Sequence, residues 1–366
     1  FSIFYFFGYL RLKSGLNCLS YPTQESATRP SVSIIISLHN EETNIPALLH
    51  HLTMQKYPHD LLEIIFVDDR SEDKTYELLS KNRISNFSVK LLKIEDTPSE
   101  FAPKKYAITQ AVSQASGEIL LFTDADGRPG PNWVSTMVSH FSPETGMVLG
   151  YAPYATHHPF NKTIFRILAL EYLSHAAVSA ASTGLNYPVT CVGTNLAYRK
   201  TVFQQLSGYG KFSAVHTGDD DLFLQRVREE TDWQIRYATA ENSHVFNAPP
   251  EKLSKFYDQR LRYASKGLIY PLKFKSILIF FYFYNLLYLI NLVFMIMNPS
   301  WFPVYLIALL IKYMIDCAFI RRAAKILHDR RHLSLIPVTL MFHIPYVIYF
   351  GLVSQIQNFK WAGRKG

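Results

Sequence analysis

The sequence predicts an α/β protein with a mostly parallel sheet and helices on both faces, followed by C-terminal transmembrane helices. Short apolar, β-branched runs alternate with helix-patterned segments in the first third of the chain, which is typical of parallel strands joined by crossover helices. From about Ser276 onward the chain is almost entirely apolar. Its charge also divides, with 21 Lys+Arg against 25 Asp+Glu up to position 250 and 16 against 4 after it.

The strands and helices of the first domain follow one another in regular order. We predict strands at Val32–Ser37, Leu62–Val67, Val89–Ile94 and Glu118–Phe122, separated by helices at Glu41–Met54, Ser71–Lys81 and Lys104–Ala115. Farther on, the pattern indicates a strand at Met147–Tyr151, helices at Phe160–Ser182 and Thr217–Glu230, and a segment along the membrane surface at Pro250–Lys266. Since ligands of open parallel sheets bind beyond the carboxyl ends of the strands, the chemistry is expected there.

Three apolar stretches close the chain at 276–297, 301–320 and 333–353, each near the ~20 residues that cross a bilayer. The loop Arg321–His332 holds five basic residues, so the positive-inside rule places it, and the α/β domain, in the cytoplasm. We expect an integral protein of a bacterial cytoplasmic (inner) membrane. The topology of 333–353 stays open, because a full crossing would put Lys360, Arg364 and Lys365 outside, whereas Pro337 and Pro345 suit a re-entrant segment.

The apolar run Phe1–Leu10, followed by Arg11 and Lys13, indicates the end of an N-terminal membrane anchor rather than a signal peptide. The predicted regions are therefore an anchor and linker at 1–30, two halves of the α/β domain at 31–150 and 151–275, and a transmembrane region at 276–366. The basic charge lies beside the membrane segments, which fits anionic lipid headgroups better than a nucleic-acid groove, so we expect no nucleic-acid partner. Three distant cysteines suggest neither a zinc site nor a disulfide framework.

Acidic residues follow three of the predicted strands. They occur in His39–Glu42, in Asp68–Ser71 and in Thr123–Asp126. Carboxylates gathered at one sheet edge repel each other unless a cation joins them. A hard divalent ion, Mg²⁺ or Mn²⁺, held by Asp124 and Asp126 and bridging to a diphosphate, satisfies this pattern. The glycine-rich phosphate cradles GxxxxGK[ST] and GxGxxG are missing.

Two further motifs follow in the second half of the chain, and the later one comes just before the first C-terminal apolar stretch. Asp219, Asp220 and Asp221 stand before an apolar helix, where they either cap the helix or supply a general base. Gln259–Tyr263 (QRLRY) either forms a basic interfacial helix or holds a departing diphosphate or an acceptor.

The order of these motifs resembles family 2 glycosyltransferases of the GT-A fold, in their membrane-bound branch. That branch includes poly-N-acetylglucosamine, hyaluronan and cellulose synthase-like and ceramide-glucosyltransferase-like enzymes. The motifs are SIIISLHNEE, VDDRSEDKT, KKYAITQA, FTDADGRPGPNW, GTNLAYRK, TGDDDLFL and QRLRY, with Trp361–Arg364 (WAGR) as a weaker match. Two positions depart from the family: Gly218 replaces the Glu of the TED-type motif, and Tyr263 replaces the Trp of QxxRW.

The resemblance implies residue roles. Donor binding falls to Ser37, His39, Glu41, Asp69, Lys105 and Asp124, the metal to Asp124 and Asp126, and acceptor binding to Gly193, Thr194, Asn195 and Tyr263. The catalytic group comprises Asp219, Asp220, Gln259 and Arg262, with Asp219 as the base by register and Asp220 or Asp221 as alternatives. The implied reaction is an inverting, metal-dependent transfer from a nucleotide sugar, for which we expect a UDP-sugar, to a lipid or glycan acceptor.

Other functions are weighed beside this one. A processive polysaccharide synthase needs a polymer channel, and the few membrane segments favour a non-processive enzyme or a small-channel synthase. A transporter or channel would use the intramembrane charges Lys312 and Asp316, although their i,i+4 spacing favours a mutual pair. An inactive scaffold would not need Asp124, Asp126, Asp219 and Arg262.

Overall fold

The computed structural model describes residues 2–19, 29–82, 84, 86–155, 162–250, 252–357, 360–361 and 364–365. The strands are β1 (Val32–Leu38), β2 (Leu62–Asp69), β3 (Ser88–Ile94), β4 (Ile119–Phe122), β5 (Arg128–Pro129), β6 (Thr145–Gly150), β7 (Leu196–Arg199), β8 (Gln234–Ala238), β9 (Val245–Phe246), β10 (Lys360–Trp361) and β11 (Arg364–Lys365). The helices are α1 (Ser2–Asn17), α2 (Ile45–Thr53), α3 (Thr75–Lys81), α4 (Pro103–Gln114), α5 (Trp133–Val138), α6 (Lys162–Gly184), α7 (Lys200–Gln205), α8 (Asp221–Glu230), α9 (Leu253–Ser265), α10 (Leu272–Met297), α11 (Phe302–Ile326) and α12 (Ile336–Val353).

A seven-stranded sheet in the order β3-β2-β1-β4-β7-β6-β8 forms the centre of the α/β part. Strands β1 to β4 are mutually parallel where they pair, β7 is antiparallel to both of its neighbours, and β6 and β8 are parallel. The predicted mostly parallel α/β sheet is thus confirmed. Its register brings Leu38 opposite Asp68 and Ile35 opposite Phe122, so β1, β2 and β4 end at one edge.

The central strands are buried on both faces, which explains their continuous apolar sequences. On one face Ile34 and Ile36 pack in a core cluster with Leu48 and Leu52 of α2. On the other face α4 covers β1 and β2. Burying each such Ile or Leu side chain contributes about 1.5–3 kcal/mol, so the packing holds the strand ends in fixed positions.

The chain divides into two compact units. The α/β unit comprises 19–155 and 182–248 and contains the seven-stranded sheet. The helical unit comprises 1–18, 156–181 and 249–366 and contains α1, α9, α10, α11, α12 and all but the last residues of α6. The predicted boundaries at 30, 150 and 275 remain predictions.

Among the described residues, four helical segments are long and apolar enough to cross a membrane: Thr163–Gly184, Leu272–Met297, Pro299–Ile326 and Leu333–Val353. The last three agree with the predicted apolar stretches. The first was expected to be a helix but not a membrane span, and 61% of an 18-residue window within it is buried in the protein, against 6–17% for the others.

Charged and phenolic side chains meet between α1 and α11 in the helical unit. Lys312 and Asp316 contact each other at 2.5 Å, as their spacing predicted. The Tyr5 hydroxyl donates to Asp316, and its ring stacks on Tyr284 at 4.4 Å between centroids. Because the two opposite charges meet each other, the apolar surroundings contain a paired rather than an isolated ion.

Several element ends differ from prediction. Helices α2 and α3 begin four residues later than predicted, because the polar residues before them form loops. Helix α11 continues to Ile326, so the predicted loop from Arg321 was wrong in its first half. The linker residues 20–28 and positions 362–363 of the WAGR tail lie outside the described residues.

Candidate active site

The loops that follow β1 and β2 are joined by hydrogen bonds. The Asn40 amide donates to Ser71 Oγ at 3.0 Å, and the Glu72 amide donates to Asn40 Oδ1 at 2.8 Å. Asn40 and Arg70 both adopt φ 57°, the left-handed turn conformation that takes the chain out of each strand. The two loops therefore form one fixed edge instead of two independent segments.

Asp69 and His39 sit at this edge, where the sequence placed them. Asp69 is 3% exposed, its Oδ1 lies 2.9 Å from Arg70 Nη2, and its carbonyl oxygen lies 2.7 Å from His39 Nδ1. Glu41 belongs to the same loops, since its amide donates to Thr75 Oγ1 at 2.8 Å and its carboxylate accepts from Asn44 Nδ2 at 2.8 Å. The carboxylates are thus held by local contacts at the ends of β1 and β2.

Asp124 and Asp126 follow β4 in a tight turn. The Gly127 amide donates to the Asp124 carbonyl at 2.9 Å. A Cβ at Gly127 would lie 2.1 Å from Thr123 Oγ1, so the turn requires glycine. Burial, reinforced by the negative charges of Asp124 and Glu41, raises the pKa of Asp126 to about 7. The turn therefore concentrates negative charge that a cation would stabilise.

The fit of this turn to a divalent ion can be judged from its donors. Oxygen ligands are what Mg²⁺ and Mn²⁺ prefer, and Asp124 and Asp126 supply them. No three His, Cys, Asp or Glu side chains converge on a common metal position in the described part of the chain. The residues present fit an ion that takes its remaining ligands from phosphate oxygens and water, as Mg²⁺ usually does.

Lys104, which the sequence reasoning missed, lies at the centre of the acidic group. Its ammonium contacts Asp124 Oδ1 at 3.0 Å and Asp219 Oδ2 at 2.9 Å. Burial alone would lower the pKa of Lys104, but Asp124 and Asp219 outweigh burial and hold that pKa above its usual value. A permanently charged ammonium therefore joins the acid that follows β4 to the acid that precedes α8.

Lys105, predicted to bind the donor, points elsewhere. It is 1% exposed, and its ammonium donates to the carbonyl oxygens of Phe212 at 2.6 Å and Thr217 at 3.0 Å. These bonds fix the segment that leads into Asp219. The adjacent lysines of α4 thus differ: Lys104 faces the carboxylates, and Lys105 anchors the loop that carries one of them. Only the direction of each side chain, which the sequence does not contain, separates the two.

In the segment predicted to bind the acceptor, two residues also face the acids while the third faces the protein interior. The Gly193 amide donates to Asp220 Oδ2 at 2.9 Å, and the Thr194 hydroxyl donates to Asp124 Oδ2 at 2.5 Å. Asn195 is fully buried, with its amide group donating to the carbonyls of Tyr151 and Ser243 at 2.8 Å. Gly193 and Thr194 thus lie beside the acids, while Asn195 contacts the protein interior.

The acids before α8 also have distinct contacts. Asp219 faces Lys104, whereas Asp220 caps α8 by accepting from the Asp221 amide at 2.7 Å and also accepts from Gly193. Gly218 has φ +76°, and a Cβ there would lie 2.5 Å from the Leu222 side chain. This conformation explains why glycine stands where the family pattern has Glu.

A cavity in the α/β unit collects these groups. It is lined by Ile35, Ser37, Lys104, Ile108, Phe122, Thr123, Asp124, Gly193, Leu196, Tyr198, Tyr209 and Asp219. The predicted residues Ser37, Asp124, Gly193 and Asp219 therefore share one cavity.

Gln259, Arg262 and Tyr263 belong to the helical unit and lie on α9. The Arg262 guanidinium lies 5.3 Å from the centre of the Tyr263 ring. The neighbouring Arg260 is 2% exposed and forms an ion pair with Glu171 of α6. Glu171 also accepts from the Tyr346 hydroxyl at 2.9 Å. Within this motif, Arg260 therefore stabilises the helical unit, and Arg262 is the less buried of the two arginines.

The mostly parallel sheet with its acidic carboxyl edge is typical of the GT-A fold. The model of "Glycosyl transferase family 2" matches residues 33–207. Residues 33–207, just under half of the chain, are therefore similar to the family 2 glycosyltransferases.

Named relatives agree with this assignment. The probable glycosyltransferase YdaM of Bacillus subtilis is 25% identical over 67% of this chain and 57% of its own length. The beta-monoglucosyldiacylglycerol synthase of Trichormus variabilis is 28% identical over 34% of this chain and 26% of its own length. The match thus spans less than two-thirds of either relative.

A solved structure shares the fold. It is the mannosyltransferase PcManGT from Pyrobaculum calidifontis in complex with GDP-Man and Mn²⁺. Its TM-score is 0.59 at 18% identity, over 96% of this chain and 94% of that one.

Proposed function

We propose that this protein transfers a sugar from a nucleoside diphosphate sugar, with a UDP-sugar as the expected donor, to an acceptor hydroxyl by a single inverting displacement. One observation carries the proposal: the Lys104 ammonium contacts both Asp124 and Asp219. Since both contacts are about 3 Å long, Asp124 Oδ1 and Asp219 Oδ2 lie no more than about 6 Å apart, so a donor held near Asp124 and a base at Asp219 would share one site.

The donor occupies the edge formed by the loops after β1, β2 and β4. Asp69 contacts the nucleoside, and Ser37, His39 and Glu41 line its surroundings, as in the family motif. Asp124 and Asp126 hold a Mg²⁺ or Mn²⁺ ion, which when bound stabilises the negative charge of the diphosphate. Lys104 adds a second positive charge beside the same phosphates, and such fixed charges typically supply the largest share of the rate enhancement.

Asp219 acts as the general base. It takes the proton of the acceptor hydroxyl while the oxygen forms a bond to the anomeric carbon, and the bond from that carbon to the phosphate oxygen breaks. The nucleoside diphosphate leaves with the bonding electrons. Asp220 is less suited to this role, because its two oxygens already accept from the backbone amides of Gly193 and Asp221. Gly193 and Thr194 border the acceptor.

The acceptor is a lipid or a glycan at the cytoplasmic face of a membrane, and Gln259, Arg262 and Tyr263 contribute to its site or to leaving-group binding. The helices with membrane-spanning length and composition support this location. The Trichormus relative is named a beta-monoglucosyldiacylglycerol synthase, and this name supports a lipid acceptor. We favour non-processive transfer or a small-channel synthase, since four helices among the described residues have the length and composition to line a channel.

A donor screen tests the proposal. Membranes containing the full chain are incubated with a panel of nucleotide sugars and Mg²⁺ or Mn²⁺, and products are identified by mass. We expect one donor to be consumed, with EDTA or Asp126→Asn abolishing the reaction. Long polymer made from donor alone would favour the processive alternative. A transporter would be favoured if the unaltered protein conducts ions, Asp316→Asn does not, and neither of the two transfers sugar. A folded protein that is inert to every donor would favour a scaffold.

A further inference from the structure

Helices α1 and α11 run in the same direction in the helical unit. Tyr5 of α1 contacts Asp316 of α11, and farther along both helices Asn17 Oδ1 accepts from Arg322 Nη2 at 2.7 Å. The later residue of α1, Asn17, therefore contacts the later residue of α11, Arg322. The C-terminal ends of the two helices therefore lie at the same end of the unit.

Basic residues gather at that end. Arg11 and Lys13 are exposed on the last turns of α1, Arg321 and Lys325 are exposed on the last turns of α11, and Arg330 is exposed in the connection that follows. Together with Arg322 these six residues are here named the basic collar.

Acidic residues are scarce around the collar. Residues 1–18 contain no Asp or Glu, and Asp329 is the only acid from 317 to 353. Asp329 pairs with Arg331 at 2.8 Å, outside the collar. Within the described chain, the five exposed collar residues have no carboxylate partner.

Apolar surface borders the collar on one side. Ile3, Phe4 and Phe7 of α1 are 61–71% exposed, and Leu310 and Met314 of α11 are 50% and 69% exposed. All five precede the collar residues of their own helix. An apolar band that ends in a ring of cations matches the boundary between acyl chains and headgroups.

A half-buried histidine lies beside the same connection. Both ring nitrogens of His332 are shielded from solvent, and neither has a hydrogen-bond partner among the described residues. Nearby, Arg166 Nη2 donates to Ser334 Oγ at 2.7 Å, and Phe165 meets the His332 ring edge-on at 5.6 Å. A phosphate oxygen that reached this position would accept from the ring N–H of His332 and offset the charge of Arg166.

We propose that the basic collar binds the phosphates of anionic phospholipids in the cytoplasmic leaflet. The inference rests on the proposed membrane location. Charge complementarity selects this occupant, since the surface offers exposed cations, almost no acids and an adjoining apolar band. Each basic residue that meets an anionic surface changes the association by about fivefold at low salt. The lipid would thereby hold the ends of α1 and α11 at a fixed depth.

The full chain in bilayers containing spin-labelled phosphatidylglycerol or spin-labelled phosphatidylcholine tests this proposal. The measured quantity is the association of the first lipid relative to the second. We expect a severalfold preference for phosphatidylglycerol at 50 mM salt. The preference should fall to near unity at 500 mM salt, because exposed charges are screened. It should also fall to near unity in the variant Arg11→Gln/Lys13→Gln/Arg321→Gln/Lys325→Gln.

The matched control is Lys56→Gln/Lys211→Gln, which removes exposed lysines of the α/β unit and should keep the preference. Equal association of both lipids with the unaltered protein, or a preference that survives the fourfold substitution, would overturn the inference. Alkaline carbonate extraction of the same membranes distinguishes failure of the proposed membrane location from failure of the proposed lipid binding by the collar. Release of the protein contradicts the membrane location itself, whereas a retained protein without lipid preference contradicts only the collar.

Discussion

Replacing Lys104 with methionine removes one ammonium and keeps most of the side-chain volume. Lys104 lies between Asp124 Oδ1 and Asp219 Oδ2, at 3.0 and 2.9 Å. At an effective dielectric of about 20, each contact has a gross Coulomb energy of about 5 kcal/mol. Most of this is offset by the cost of desolvating the ions, and the Asp124 side chain is 35% exposed, so solvent screens it further. We expect a net loss of about 1–2 kcal/mol in the free energy of unfolding.

The catalytic effect should be larger than the effect on stability. Removing one preorganised charge or donor that faces the leaving group typically costs about 10²–10³ in rate. We therefore expect kcat/KM for the donor to fall by about that factor in Lys104→Met. Steady-state release of nucleoside diphosphate, normalised to folded protein, measures the change, and a denaturant titration measures stability.

Lys105→Met is the matched control, since it removes the neighbouring ammonium from the same helix. Lys105 donates to two backbone carbonyls in a buried position, so its loss should cost about 2–4 kcal/mol of stability. Per folded molecule, its kcat/KM should stay within about tenfold of the unaltered protein. This assignment of the two lysines would be refuted by the opposite pattern. In that pattern kcat/KM of Lys104→Met stays within about threefold of the unaltered protein, while kcat/KM of Lys105→Met falls about a hundredfold.

Three other changes test neighbouring parts of the account. Asp219→Asn should reduce kcat by about 10²–10⁴ while leaving the Kd for the donor nearly unchanged; an equal loss in Asp220→Asn alone would shift the base by one residue. Gly218→Ala should lower stability by at least about 1 kcal/mol because of φ +76° and the contact with Leu222, and an unchanged melting temperature would contradict that geometry. Burial would raise the pKa of Glu63, but hydrogen bonds from Lys90, Ser33 and Ser116 outweigh burial and lower it from 4.5 to about 2. The ionised Glu63 thus contributes up to about 3 kcal/mol to the free energy of unfolding above pH 4.5, and this contribution is lost as the pH falls toward 2. Urea unfolding of the unaltered protein and of Glu63→Gln should therefore give free energies whose difference narrows from pH 4.5 to pH 2. A difference that widens over that range would contradict this assignment.

The sheet was accessible from sequence because burial on both faces leaves an unambiguous apolar signal. Strand β2 was predicted to within two residues and β4 to within one. The first residues of α2 and α3 could not be predicted from the sequence. The residues in front of them resemble helix beginnings, yet Asn40 and Arg70 turn left-handed and bond between loops instead. Such contacts join residues about 30 positions apart and leave no periodic trace.

The candidate site was accessible in outline for a similar reason. Acids at the ends of parallel strands must share an edge, so Asp69, Asp124 and Asp126 could be grouped by topology. Which of two adjacent lysines faces that edge depends on the rotation of α4, and which amide groups are buried depends on packing around Asn195. Neither property is encoded in local spacing, which is why Lys104 was missed. The roles assigned to the individual site residues stay predictions.

A structure of the protein with Mn²⁺ and a nucleotide sugar that resists transfer tests the central claim most directly. The account predicts the nucleoside beside Asp69, the ion bound by Asp124 or Asp126 and the diphosphate, and Lys104 within 3.5 Å of a phosphate oxygen. Density for the nucleotide elsewhere, with Lys104 still between its two carboxylates, would contradict it.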